Sequence, residues 1–232
     1  MHSHMDEQRQ PMFNVPLPVS VAVGSLLAVH AVRTWLLPAR DDLYVLFLFA
    51  FIPARYETPD LRDIVAGGQG AEIWSFLTYG LLHGGWTHVL LNVVWLVAFG
   101  SVVARRFGAF RFFAFLATAT VAGAGAHLLA HQGEMQPMVG ASAAVSGCMA
   151  AAVRFMFANG RGAPAPLLTA LKDGRVLAFV AVWFGINVVF GLGAMPLLGE
   201  EQSIAWEAHI GGFLVGLLLF GLFDPVRRDA MA

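Results

Sequence analysis

Charged residues are scarce in this chain. Only 12% of its 232 residues are Asp, Glu, Lys or Arg, whereas 58% are hydrophobic. A soluble domain of this length needs far more charge on its surface, so the composition excludes an ordinary soluble globular protein. The net charge of -1 leaves no basic stripe to hold phosphates, which argues against a nucleic-acid partner.

Cysteine and metal-binding patterns are also scarce. The one cysteine, Cys148, rules out an internal disulfide, and its apolar surroundings indicate a small buried hydrophobe rather than a reactive thiol. His83 and His88 are five apart and no HExxH sequence occurs, so a helical two-histidine zinc site is not indicated. A transporter would be expected to show inverted repeats, with interrupted spans at matching positions in its two halves, and the sequence shows no such internal symmetry. We expect no metal, nucleotide or redox cofactor.

Long apolar runs, in contrast, are abundant. Six are close to the length of about 20 residues that a helix needs to cross the hydrocarbon core. They cover residues 18–37, 86–104, 112–130, 139–158, 176–192 and 205–223. The sequence therefore predicts an all-α polytopic membrane protein, with a six-span membrane domain at 18–224 and short tails at 1–17 and 225–232. Residues 43–52 are apolar but too short to cross, which indicates a long, partly interfacial first loop.

Basic residues indicate which side of the membrane faces the cytoplasm. Ten of the 14 lie in the two tails or around the loops that follow the second and fourth spans. The long first loop holds more acidic than basic residues, and the other two loops on its side carry acids only. We therefore predict cytoplasmic termini, so that even-numbered spans begin at the outer face. The ten basic residues are Arg9, Arg105, Arg106, Arg111, Arg154, Arg161, Lys172, Arg175, Arg227 and Arg228.

Four polar residues lie near the outer ends of the even-numbered spans. His88 and Asn92 fall in the first two turns of the second span. Ser142 and His209 fall in the first two turns of the fourth and sixth spans. At 1.5 Å rise per residue, each side chain lies within about 10 Å of the outer end of its span. Polar groups inside a membrane are costly and indicate function, and a hydroxyl with an imidazole can carry out nucleophilic hydrolysis.

The surroundings of the serine fit acyl transfer. Ser142 follows Gly140 at a helix start, where the first backbone N–H groups have no intrahelical acceptor. His88 and Asn92 are four apart and project from one helix face, so an amide and an imidazole can join that N–H in an oxyanion hole. Small residues in the fourth and sixth spans, including the GxxxG motif that begins at Gly212, let the two backbones approach closely.

Three short motifs follow one another on spans two, four and six. They are His83-Gly84-Gly85-Trp86-Thr87-His88 with Asn92, then Gly140-Ala141-Ser142, then Ala208-His209-Ile210-Gly211-Gly212. In this order they resemble the motifs of the rhomboid family of intramembrane serine proteases, and the resemblance runs from the first span to the last. It implies a rhomboid-like bundle with Ser142 as nucleophile and His209 as general base. It also implies an oxyanion hole formed by His88, Asn92 and the backbone N–H of Ser142.

The chain departs from the usual rhomboid pattern in three places. Ala143 stands where glycine most often follows the serine, and Ser146 stands where an aromatic ring often packs on the catalytic imidazole. Ser75 stands before span two where arginine is common. None of these changes removes a reacting group. Glu207, two residues before His209, belongs to a different helix face, so we interpret it as an interfacial charge rather than a third catalytic residue.

Other residues have ordinary structural interpretations. His30 and His127 are expected to pack between helices, and His83 to hold its loop by hydrogen bonds. Asn187 is expected to join two helices by a hydrogen bond. The aromatic residues of span five either face lipid or line the substrate entrance that the resemblance suggests between spans two and five. They are Phe179, Trp183, Phe184 and Phe190.

The resemblance implies a hydrolase whose partners are the lipid bilayer and transmembrane protein substrates with small residues at the cleavage site. It favours a bacterial inner membrane, with the active site opening toward the outer face. An intact helix hides its carbonyl groups in hydrogen bonds, so a substrate helix must unwind near that face. The alternative is a non-catalytic rhomboid-like protein that binds or escorts membrane clients. Loss of Ser142 or His209 would have favoured it, and both are present.

Overall fold

The protein is helical throughout the part of the chain that the structure, a computed structural model, describes. The described residues are 14–57, 65–156, 164, 166–189 and 205–225. Among them an isolated bridge pairs Phe51 with Met138, and no longer strand pairing occurs. The predicted all-α fold class is therefore confirmed.

Ten helices are described, with two short 3₁₀ turns at Pro53–Tyr56 and Tyr79–Leu81. The helices are α1 (Leu17–Leu36), α2 (Ala39–Phe49), α3 (Gly68–Thr78), α4 (Trp86–Phe107), α5 (Ala109–Ala130), α6 (Ser142–Met156), α7 (Leu167–Ala170), α8 (Gly174–Val189), α9 (Trp206–Leu218) and α10 (Phe220–Phe223). Both α1 and α4 include a π-helical stretch, at Val32–Leu36 and Leu96–Gly100.

Five of the six predicted spans each overlap one helix, and the sixth covers two, α9 and α10. Within the described residues, α1, α4 and α5 are long and apolar enough to cross a membrane, whereas α6, α8 and α9 are apolar but shorter. The ends predicted for spans four and five, near residues 158 and 192, lie outside the described residues. So do most of both tails and four of the basic residues used to predict orientation, Arg9, Arg161, Arg227 and Arg228.

Local sequence explains where the spans begin and end. The first span ends where Leu37 becomes extended, because a residue that precedes proline avoids the helical conformation. Only Gly108 separates α4 from α5, and its φ of 75° lies in the left-handed region that glycine adopts readily. The fourth span was predicted to begin at residue 139, but α6 begins at Ser142. The difference arises because Gly140 has a φ of 128°, which is incompatible with a helix.

The first loop is partly helical, which its interpretation as an interfacial segment did not include. Residues 43–52 fall mostly within α2. A salt bridge of 2.7 Å joins Arg33 of α1 to Asp42 of α2. Trp74 Nε1 and Thr78 Oγ1, both from α3, donate hydrogen bonds to carbonyl groups at the end of α2, at 2.9 and 2.8 Å. These contacts fasten the loop to the start of the bundle.

The bundle is centred on α9, which packs chiefly against α6 and α5. Glycines make this contact unusually close. A Cβ on Gly212 would overlap the backbone of Ala143, and one on Gly216 would overlap the carbonyl of Gly147. We call Gly147, Gly212 and Gly216 the glycine seam. Small residues of this kind let membrane helices approach, so the seam brings the first turns of α6 and α9 together.

Candidate active site

A cavity of about 420 Å³ lies where the first turns of α4, α6 and α9 meet the last turns of α8. It is lined by all four side chains that the sequence singled out for catalysis, namely Ser142, His209, His88 and Asn92. These residues come from three helices and are separated by long stretches of chain. The fold therefore brings the predicted site residues around one space.

The serine is presented at the start of a helix. Because Ser142 is the first residue of α6, its backbone N–H has no acceptor within the helix. A Cβ on Gly140 would lie 2.8 Å from Nε2 of His88 and 3.6 Å from Oγ of Ser142. The His88 ring and the Ser142 hydroxyl therefore flank the same point, and both its space and its φ require glycine there.

Two hydrogen bonds hold the backbone just before the serine. The N–H of Gly140 donates to the carbonyl of Tyr79 at 3.1 Å, and the N–H of Ala141 donates to Nε2 of His83 at 3.4 Å. Burial lowers the pKa of His83 to about 3, so its ring is neutral at physiological pH and can accept this bond. The ring of His83 was expected to hold its own loop, but the hydrogen bond that it accepts comes from a different segment, the one that leads directly into Ser142.

His88 and Asn92 share one face of α4, in agreement with their four-residue spacing. Asn92 Nδ2 donates to the carbonyl of His88 at 3.0 Å, which fixes the amide against its own helix. The His88 ring packs edge-to-face on the ring of His83, with 5.0 Å between centroids. Both cavity-lining side chains are therefore positioned by neighbours on the same stretch of chain.

The imidazole of His209 contacts an amide from α8. Nδ1 of His209 is hydrogen-bonded to Oδ1 of Asn187, and Asn187 Nδ2 donates to the carbonyl of Trp183 at 2.7 Å. The second bond fixes which end of the amide faces the ring. An amide oxygen can only accept, so this network assigns the ring proton to Nδ1 and leaves Nε2 able to accept a proton.

Two of the departures from the family pattern can be located. Ala143 faces α5 at Gly123, where an added Cβ would meet its methyl group at 2.5 Å. Ala143 adds a methyl group where the family most often has glycine, and Gly123 on the neighbouring helix leaves the room for that methyl group. Ser146 is nearly buried and lines the cavity one turn after Ser142. Nearby, Trp183 of α8 stacks on Phe213 of α9 with 4.1 Å between ring centroids.

The same cavity holds a second group of titratable side chains. Glu207 Oε1 lies 3.2 Å from Nε2 of His131, and its Oε2 lies 3.8 Å from Nδ1 of His127. Glu134 Oε1 lies 3.0 Å from Nδ1 of His131. Partial burial disfavours protonation of His131, but its bonds to Glu134 and Glu207 outweigh burial and raise its pKa. The carboxylate of Glu207, which was interpreted from the sequence as an interfacial charge, therefore lies against His127 and His131 in the wall of the cavity.

Sequence reasoning missed two features of the site. Asn187 was expected to join two helices, which it does, but its partner is His209. His127 and His131 were not considered together, although a spacing of four residues brings side chains together at the end of a helix, here the last turn of α5 and the residue that follows it. That spacing was the available signal for the second group. The contribution of Glu207 depends on the packing of α9 against α5, which the sequence pattern does not give.

Comparison with known proteins identifies the family. Residues 70–224 match the model of the Rhomboid domain, and since this is more than half of the chain, the protein belongs to the rhomboid family. RHOMBOID-like protein 4 of Arabidopsis thaliana is 29% identical over 160 residues, which are 69% of this chain and 36% of that protein. Rhomboid protease GlpG of Haemophilus influenzae is 25% identical over 171 residues, 70% of this chain and 76% of that one. This chain therefore spans only about a third of the plant relative.

Proposed function

We propose that this protein is an intramembrane serine endopeptidase that cleaves transmembrane proteins. Ser142 is the nucleophile, His209 is the general base, and His88, Asn92 and the Ser142 N–H form the oxyanion hole. The observation that carries the proposal is that these groups line one cavity at the ends of three membrane helices. Membership of the rhomboid family, which includes a relative named as a protease, supports the reaction class.

The reaction follows from the positions of the proton acceptors and donors. Oγ of Ser142 attacks the substrate carbonyl carbon while its proton passes to Nε2 of His209. The tetrahedral intermediate collapses, the C–N bond breaks, and His209 returns the proton to the leaving amine. Water then hydrolyses the acyl-enzyme by the same two proton transfers. Asn187 acts as a positioning residue because it holds the Nδ1–H and thereby the ring.

The oxyanion is stabilised by groups that are already oriented. The N–H of Ser142 lies at the positive end of the α6 dipole, and the His88 ring flanks the same point beside Gly140. Asn92 contributes an amide from the next turn of α4. Removal of one such donor typically lowers kcat about 10²–10³-fold. Because these donors need not reorganise, they stabilise charge as it develops in the transition state.

The substrate reaches this site from the membrane between α4 and α8. Apolar side chains of both helices line the cavity, namely Leu91, Trp95, Phe179, Val182 and Ile186. Among the described helices, α8 packs mainly on α9, and the rings of Phe99 and Phe179 lie 5.7 Å apart across the gap to α4. Of the proposed entrance aromatics, Phe179 and Trp183 line the cavity, Phe184 is 46% exposed, and Phe190 lies outside the described residues.

The proposed setting is a bacterial inner membrane with both termini in the cytoplasm and the cavity facing outward. This orientation rests on the distribution of basic residues. It places the first turns of α4, α6 and α9 at the outer side, where water can reach the cavity. A substrate helix would unwind there to expose its carbonyl group.

Cleavage of a model transmembrane substrate by the purified protein in liposomes tests the proposal. We expect Ser142→Ala and His209→Ala each to reduce cleavage by more than about 10⁴-fold, since each removes a reacting group. Ser146→Ala is the matched control, because Ser146 lies on the same helix and lines the same cavity. It should retain cleavage. A fluorophosphonate should label the wild type and Ser146→Ala but not Ser142→Ala.

The contrary result is equally definite. If the wild type cleaves none of several transmembrane substrates and a fluorophosphonate leaves Ser142 unlabelled, the chain is not a serine protease. Stable binding of an uncleaved transmembrane client would then establish the non-catalytic, client-binding alternative.

A further inference from the structure

We propose that His127, His131 and Glu207 form a binding site for a divalent transition-metal ion, with Zn²⁺ as the best match. Two imidazoles and one carboxylate are a donor set that zinc uses in proteins when it keeps a fourth position open. Calcium and magnesium are disfavoured because they prefer oxygen ligands throughout. The three residues lie at the end of α5 and in the first turn of α9.

The separations between the donor atoms suit one ion. One ligand atom from each residue can be chosen so that all three lie within 4.8 Å of one another. The closest contacts of Glu207 with the two rings are 3.2 and 3.8 Å. Ligands at 2.0–2.1 Å from a tetrahedral zinc ion lie about 3.3 Å apart. Small side-chain rotations would therefore bring the three donors to bonding distance without movement of the helices.

Burial provides a second, independent observation. The side chain of His127 is nine-tenths buried, with 10% exposure, and it faces Glu207 and His131. Among the described residues, neither its Nδ1 nor Oε2 of Glu207 has a hydrogen-bond partner, although the two atoms face each other at 3.8 Å. Buried polar atoms without partners are unfavourable. An ion between them would satisfy both atoms at once.

Glu134 supports one of the proposed ligands. Its Oε1 lies 3.0 Å from Nδ1 of His131, which leaves Nε2 directed at Glu207. Metal-binding histidines almost always use their second nitrogen in this way, and the carboxylate partner orients the ring and strengthens the ligand. His131 is also part-exposed, so an ion could enter from the solvent side of the cavity.

The site would connect the end of α5 to the turn of α9 that carries His209. The ion would fix the start of α9, and its open position would face the cavity, where water could complete the coordination. The lack of an HExxH sequence did not exclude such a site. The glutamate of that motif is a general base rather than a zinc ligand, and His127 and His131 have the same four-residue spacing as its two histidines. The metal site can be tested whether or not the chain is a protease.

Metal retention by the purified full chain tests the proposal. The chain would be stripped with a chelator, dialysed against Zn²⁺ and analysed for bound metal after gel filtration, with Co²⁺ as an optical probe of coordination. All variants would carry His2→Ala and His4→Ala, because these terminal histidines could bind metal themselves. We expect one ion per chain in this background and none in His131→Gln or Glu207→Gln. Glu134→Gln should retain the ion with about 10–100-fold weaker affinity.

Thermal unfolding gives a second measurement that does not depend on stoichiometry. Zn²⁺ should raise the unfolding temperature of the background chain and leave that of His131→Gln and Glu207→Gln unchanged. If the background chain retains no ion and shows no such rise, the three residues are only a hydrogen-bonded cluster. Equal retention by folded His131→Gln and Glu207→Gln would place the ion elsewhere, which also overturns the proposal.

Discussion

The two ends of the helix bundle are built in opposite ways. At the end where α4, α6 and α9 begin, several hydroxyl groups, four imidazoles and three side-chain amides line a cavity. At the other end, aromatic rings close the space between α4, α5 and α10, with 5.3 to 6.2 Å between the centroids of contacting rings. These rings are Phe107, Phe115, Phe220 and Phe223. Beside them, Arg106 and Asp224 form a salt bridge of 2.8 Å, with side-chain exposures of 6% and 0%.

The comparison shows two ways in which this bundle tolerates polar groups. At the closed end, charges are paired, covered by rings and used to hold helices together. At the cavity end, Ser142 and Nε2 of His209 remain available to a reacting partner. We therefore expect substitutions at the closed end to act mainly on stability and those at the cavity end mainly on activity. Four predictions test this division, in order of decreasing expected effect.

The largest effect is expected at the closed end. Asp224→Asn removes one charge of the buried pair and should lower the free energy of unfolding by about 3–5 kcal/mol. Unfolding can be followed with a thiol-reactive dye, because Cys148 is the one cysteine and is fully buried. The matched control is Asp173→Asn, which removes the charge of the exposed pair with Arg175 and should leave the free energy of unfolding nearly unchanged, because water screens an exposed ion pair. Similar effects of both variants would contradict the division.

A smaller effect is expected at the glycine seam, which connects the two ends. The methyl group of Gly212→Ala would overlap the backbone of Ala143 and should destabilise the protein by about 1–3 kcal/mol. Cleavage should also fall, since α6 and α9 would separate. Gly125→Ala is the control, because nothing lies within 4 Å of its added Cβ. If Gly212→Ala is as stable and active as the control, the seam does not set the helix separation.

At the cavity end, Asn187→Ala should affect the reaction more than the fold. Loss of its hydrogen bond to His209 should lower kcat about tenfold, with KM and the unfolding temperature little changed. Asn187→Asp keeps an acceptor for the ring proton and should restore much of the rate. A rise in KM with kcat unaltered would instead assign Asn187 to substrate binding.

The smallest effect concerns pH. Because burial lowers the pKa of His83 to about 3 in the folded state, the unfolded chain binds a proton more readily as pH falls below the ordinary histidine pKa of 6.5. This contribution to stability is present above pH 6.5 and is progressively lost toward pH 3. It should amount to about 1 kcal/mol between pH 6.5 and 5.5.

The matched variant for this test is His83→Gln, which keeps an acceptor for the N–H of Ala141 but does not titrate. His30, Arg33 and His88 face the same ring and stay in place in the variant. The free energy of unfolding would be measured as a function of pH for both proteins, and the difference between the two pH profiles isolates the contribution of His83. Parallel curves for the wild type and His83→Gln would show that the ring does not contribute.

The sequence predicted the spans and the main site residues because both depend on local patterns. Apolar runs set the positions of the helices, and polar residues inside them were conspicuous. The left-handed Gly140, which delays the start of α6, was not foreseen because helical periodicity does not reveal one backbone angle. The partners of Asn187 and Glu207 were also missed. They lie on other helices, and their contacts depend on helix rotation, which composition and spacing do not determine.

The glycine seam also has a consequence for the timing of synthesis. It joins the fourth and sixth spans, so it can form only after the sixth span has left the ribosome and entered the membrane. Under the proposed function, a partly synthesised chain has its serine but lacks the imidazole of His209, the general base. A truncated or stalled chain therefore cannot cut its neighbours in the bilayer. Under the proposed function, the order of the spans along the chain therefore keeps the protein inactive until its sixth span has been inserted.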